Sequence, residues 1–155
     1  LRTMIESARS IPEAQFVLIG ETSGDAAVTE ARRTAPPNVV FHDKFTFGQE
    51  LLRFYQRASV YVQASAHEGF GIANTEAMSC GCIPVVTNTT ALPEVVGDAG
   101  FFAPFGDVPA TAEAIKRALK SPELGKKARA RIIENFTSDI HERTLLADVR
   151  SVIGH

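Results

Sequence analysis

Residues 59–88 read SVYVQASAHEGFGIANTEAMSCGCIPVVTN. SVYVQAS (59–65) and CIPVVTN (82–88) are short, apolar and rich in β-branched residues, and each predicts a strand. Between them HEGFG (67–71) crosses into a helix predicted to begin near Ile72–Asn74. Two such strands joined by a helix point to parallel pairing.

The same alternation continues outward in both directions. QFVLIG (15–20) and NVVFHD (38–43) predict strands on the N-terminal side, and FFAP after Gly100 is a further short apolar run. TSGDAAVTEARRTA predicts a helix that Pro36 and Pro37 end, and FGQELLRFYQRA (47–58) puts Leu51, Leu52, Phe54 and Tyr55 near one side at helical spacing. VPATAEAIKRALKS (108–121), SPELGKKARARIIENF and TSDIHERTLLADVRSVIGH predict three more helices, the second opened by Ser121 and Pro122. The fold class is α/β: a doubly wound parallel sheet with helices on both faces, its strands apolar throughout because both sides are covered. The chain opens inside a helical pattern, LRTMIESARS, with Leu1, Met4, Ile5 and Ala8 on one side. A doubly wound sheet normally begins with a strand, so a missing first strand and a longer parent are expected.

Length and composition suit one domain of ordinary soluble character, with 155 residues, 45% hydrophobic and 22% charged. A net charge of −2 argues against a sequence-independent nucleic-acid binder, which needs a basic face. No stretch reaches the roughly 18 apolar residues that a membrane span requires. The charged N-terminal residues do not form a secretory pattern, and a cytoplasmic setting is expected. Cys80 and Cys82 are separated by one glycine, too close for an unstrained disulfide. Two thiols without matching partners also make a poor zinc site. They are expected to be small, reduced side chains packed beside a strand.

Glu68 and Glu76 bracket the glycine crossing. In an open parallel sheet, ligands bind beyond the carboxyl ends of the strands, and SVYVQAS delivers the chain to that edge. Glycines at 69 and 71 let the backbone turn and approach a ligand. The following helix directs unpaired N–H groups and a positive dipole end at the same place, which suits an anion such as phosphate. A carboxylate accepts two hydroxyl donors at once, as a vicinal diol offers. Together these features describe a phosphorylated, hydroxyl-rich ligand. A purely structural alternative remains open: Glu76 would stabilise a helix from its first turn, and the glycines would serve only a tight turn.

The segment from Ala58 to Asp107 closely resembles the donor-binding half of retaining GT-B glycosyltransferases, group 1 or family four. The matching signature is Glu68, GFGIANT, then Glu76, Ala77, Met78, Gly81, Pro84, Val85 and Val86, and the likeness extends over roughly positions 1–135. The resemblance implies a Rossmann-like GT-B C-terminal half binding a nucleotide-diphospho-sugar, UDP- or GDP-linked, with no metal and no further cofactor. It implies that Glu76 holds the ribose hydroxyls and that Glu68, the catalytic candidate, lies at the transferred sugar. Backbone amides of Gly69, Phe70, Gly71 and Ile72 would meet sugar and diphosphate. Lys44 and Phe45 would pass the base, Gly20 would let the backbone lie close to the ligand, and Asn88–Leu92 would lie near the phosphates.

The same resemblance implies a partner. Residues 1–155 would be a single nucleotide-sugar-binding domain of a two-domain enzyme whose N-terminal acceptor domain, and whose Arg and Lys diphosphate clamp, lie outside this sequence. The helix over 137–155 would cross to that domain. Transfer by this chain alone is not expected, and membrane association would come only through the parent. His67 reads as a loop histidine, and the basic run KKARAR (126–131) as a charged helix face. The competing functions are a non-catalytic GT-B-like interaction module and another GT-B sugar enzyme, such as a phosphorylase or epimerase.

Overall fold

The computed structural model describes residues 1–20, 25–44 and 46–153. The first part of the chain runs α1 (Arg2–Arg9), β1 (Phe16–Ile19), α2 (Ala26–Thr34), β2 (Val39–His42), α3 (Gly48–Arg57) and β3 (Val60–Gln63). It continues with α4 (Ile72–Ser79), β4 (Ile83–Thr87), α5 (Leu92–Val96), β5 (Phe101–Ala103), α6 (Val108–Leu119), α7 (Leu124–Asn135) and α8 (Ser138–Ile153). Each predicted strand forms. The expected start of α2 at Ser23 and Gly24 lies outside the described residues; Asp25 caps the helix, accepting from the amides of Ala27 and Val28. α7 begins at Leu124, two residues after the expected Pro122, because Ser121–Pro122 closes a turn in which the Leu124 amide donates to the Ser121 carbonyl.

Every strand pair is parallel, as the alternation predicts. β1 pairs with β2, Phe16 beside Val39 and Ile19 beside His42. β3 pairs with β4, and β4 with β5. The strands form two ladders, β1–β2 and β3–β4–β5, with no pairing between β1 and β3.

β4 shows why the strands lack alternation. All five of its residues are buried. Ile83 and Val85 face a cluster with Ala8 and Ile11 from the α1 region, Phe16 of β1, and Ala112, Ala114, Ile115 and Ala118 of α6. Val86, on the opposite face, joins Met78 of α4, Leu92, Val95 and Val96 of α5, and Ala128 and Ile132 of α7. Successive side chains of one strand thus enter two cores, which favours apolar residues on both faces, and the one polar residue, Thr87, donates its hydroxyl to the Ser65 carbonyl at 2.6 Å.

The basic run 126–131 does more than face solvent. Lys127 pairs with Asp98 at 2.7 Å, Arg129 donates to the Ser79 carbonyl, and Arg131 donates to the carbonyls of Val95 and Glu94. Its cations fasten α7 to the ends of α4 and α5. α8 buries none of its residues, and Leu145, Leu146, Val149, Val152 and Ile153 are exposed.

Candidate functional site

Parallel strands bring their C-terminal ends to one edge, and the candidate residues follow those ends. Gly20 leaves β1 with its amide donating to the His42 carbonyl at 3.3 Å. Lys44 follows β2 and is paired with Glu50 of α3 at 3.1 Å, while His42 Nε2 faces the other oxygen of Glu50 at 3.7 Å. The His42 ring also packs on Phe54, with centroids 4.9 Å apart. Phe45 lies outside the described residues.

The glycine crossing follows β3. Gly71 is the N-cap of α4 and adopts the left-handed region at φ 79°. A β-carbon there would stand 2.9 Å from Leu92 Cδ2, so the close fit between this turn and α5 depends on glycine. At Gly20 and Gly69 a β-carbon would meet nothing within 4 Å among the described residues. No side chain caps α4, unlike α2 and α6, whose first turns are capped by Asp25 and Asp107. The leading amides of α4 are therefore left to other acceptors. The Phe70 ring stands edge-on to Phe136 at the end of α7, with centroids 5.6 Å apart.

Glu76 is the fifth residue of α4, and the first turn holds no acid. The expected placement in the first turn is corrected, and helix-start stabilisation does not account for this residue. Its carboxylate instead accepts from the hydroxyl of Tyr55 on α3 at 3.3 Å. Glu68 is half-buried in the crossing. Tyr61 of β3 feels both acids: burial first, then the negative charges of Glu68 and Glu76, push its pKa up to about 12. Both carboxylates thus lie within electrostatic reach of one phenol, Glu68 before and Glu76 after the α4 N-terminus in the chain.

Four further features of this edge escaped the sequence reading. Tyr55 and Tyr61 stand edge-on, centroids 6.0 Å apart, beneath Glu76. Gln63 Oε1 and Asn74 Oδ1 are buried acceptors without a hydrogen-bond partner among the described residues, and Gln63 Oε1 and Asn74 Cβ lie 3.9 and 3.7 Å from the β-carbon position of Gly71. Thr90, in the turn between β4 and α5, has φ 54°, a strained conformation for a β-branched residue. α5 itself was not foreseen. No sequence signal distinguishes a tyrosine that packs from one that also donates to a carboxylate.

Of the two thiols expected to be buried, Cys82 is and Cys80 is only half-buried. Cys82 is buried, its Sγ donates to the Tyr55 carbonyl at 3.1 Å, and burial pushes its pKa up to about 12. Both cysteines are free. Among the described residues, no three or more His, Cys, Asp or Glu side chains are grouped to hold a metal ion. An open cleft of about 510 Å³ lies between α7 and α8, lined by Glu134, Ile140, Arg143, Thr144 and Ala147, none of them a candidate residue.

The chain is similar to the O-antigen chain mannosyltransferase B of Escherichia coli, 43% identical over 83 residues that make up 54% of this chain and 22% of that protein. Its fold is similar to that of a sucrose-phosphate synthase from Thermosynechococcus elongatus, with a TM-score of 0.80 and 26% identity over 98% of this chain and 42% of the synthase. Anabaena HepE, solved with UDP, has the same fold at a TM-score of 0.81 and 20% identity, over 96% of this chain and 44% of its own. These neighbours are GT-B glycosyltransferases, and this chain spans less than half the length of each relative named here. The sequence model of the glycosyl transferases group 1 family matches residues 1–138. The chain belongs to that family.

Proposed function

We infer that this chain binds the donor of a retaining hexosyltransferase, a nucleotide-diphospho-sugar that is UDP- or GDP-linked. One observation carries this reading: the chain turns at left-handed Gly71 into an α4 N-terminus that no side chain caps, with Glu68 three residues before that turn and Glu76 five residues after it. Main-chain amides there suit a diphosphate, and flanking carboxylates suit the hydroxyls of ribose and hexose. Glu76 takes the ribose diol, and Glu68 takes the sugar beside the reacting carbon. Gly20 and Gly69 leave room for the ligand backbone, and Lys44 borders the base. Departure of the nucleoside diphosphate leaves charge on its β-phosphate, and preorganised amides lower that barrier without requiring a metal. The likeness to a mannosyltransferase supports the hexosyl class. The free thiols suit a reducing, cytoplasmic setting.

The acceptor site and the remaining phosphate contacts belong, on this reading, to a second domain, so residues 1–155 bind donor without transferring sugar. Thermal-shift titration with UDP, GDP and ADP tests it. Stabilisation by UDP or GDP that disappears in Glu76→Ala is expected. No response to any of the three would favour a non-catalytic interaction module, and sugar transfer by the purified chain would overturn the division of labour.

A further inference from the structure

Tyr55 lies on the inner side of α3, and its ring is packed with Ala77 and Cys82, with Leu51 and Tyr61 against the same cluster. The residue is only 8% exposed. Packing on this scale holds the ring in one orientation, so the core decides where the hydroxyl points. It points at Glu76 Oε2, 3.3 Å away. Burial, then the neighbouring Tyr61 and Glu76, raise the Tyr55 pKa well above its ordinary value, and the phenol stays a proton donor. Glu76 itself is exposed. An exposed glutamate on a helix ordinarily exchanges among rotamers, and ordering it on ligand binding costs affinity.

We propose that Tyr55 is a positioning residue for nucleotide recognition, its buried hydroxyl holding one oxygen of Glu76 so that the carboxylate meets the vicinal diol of a ribose in a fixed orientation. The proposal rests on the assignment of Glu76 to the ribose. A contact of 3.3 Å is long for an O–H···O bond, as catalytic-site bonds often are before ligand arrives. A buried phenol also needs an acceptor for its own sake. The two roles separate cleanly: a phenol that merely needs an acceptor affects folding, whereas a positioning phenol affects affinity only for ligands that carry the diol.

Tyr55→Phe removes one oxygen and keeps the ring. Dissociation constants of the purified chain for UDP, GDP and their 2′,3′-dideoxy analogues, read by NMR titration, decide the matter. Wild type is expected to favour the ribonucleotides. Tyr55→Phe is expected to lose about three- to ten-fold in affinity for them, with the dideoxy values unchanged. In a Glu76→Ala background the same substitution is expected to add nothing. Equal weakening for both ligand types, or an unchanged preference for ribose, would overturn the positioning role while leaving Glu76 on the diol. Wild type that binds ribo and dideoxy forms equally would overturn the Glu76 assignment, and the positioning role with it. The wild type offers an independent check: couplings of the Glu76 Cβ protons are expected to report one χ1 rotamer, and averaged couplings would overturn the proposal.

Discussion

Gly71 joins stability to binding geometry in a single residue. Its left-handed backbone turns the chain into α4, and its missing side chain admits Leu92. Gly71→Ala is expected to destabilise the fold by about 2–3 kcal/mol, from backbone strain plus overlap with Leu92. Gly69→Ala faces open space and is expected to stay within about 0.5 kcal/mol of wild type. Urea unfolding of both variants checks the contrast, and equal losses would show that neither glycine has a special role. Both glycines were visible in the sequence, but which one is conformationally required was not, since φ is set by the turn and by α5. Glu76 shows the same limit. Its resemblance to the family signature made it a candidate ligand residue, whereas its place one turn into α4 depends on where Gly71 starts the helix.

Between elements, a small polar residue stitches the first α/β unit. The Asn38 side-chain amide donates to the carbonyls of Ala8, Ile11 and Ala14 at 3.0, 3.0 and 2.9 Å, tying the chain between α1 and β1 to the start of β2. Asn38→Ala removes all three bonds, although the Ala8 and Ile11 carbonyls keep the amides of Ile11 and Ala14, and is expected to cost about 1–3 kcal/mol in chemical denaturation; a loss below about 0.5 kcal/mol would contradict the clasp. Strand and helix identities were legible because apolar runs and 3.6-residue spacing report burial directly. α5 was not. LPEVV is only five residues long, too short for periodicity to register, and tertiary contacts supply its order: Leu92, Val95 and Val96 are buried against α4 and α7. The basic run of α7 was read as a solvated face because composition does not reveal which carbonyls a cation reaches.

Across the whole molecule, the described candidate residues follow the C-terminal ends of β1, β2 and β3, with α3 touching both ladders: Glu50 and Phe54 meet the end of β2, and Tyr55 meets Tyr61 of β3. The parallel α/β pattern was legible from the order of elements, whereas the division into two ladders, β1–β2 and β3–β4–β5, was not. α8 stands apart, since it buries no residue. Ending the chain after Thr137 is therefore expected to change Tm by less than about 3 °C in calorimetry; a larger fall would show that α8 supports the fold. Convergence at the strand edge is the claim on which the function depends. Backbone amide NMR of the chain titrated with UDP and with GDP tests it most directly. Shifts concentrated at Glu68, Gly69, Phe70, Gly71, Ile72 and Glu76 are expected, and shifts centred instead on the α7–α8 cleft around Arg143, or none with either nucleotide, would contradict it.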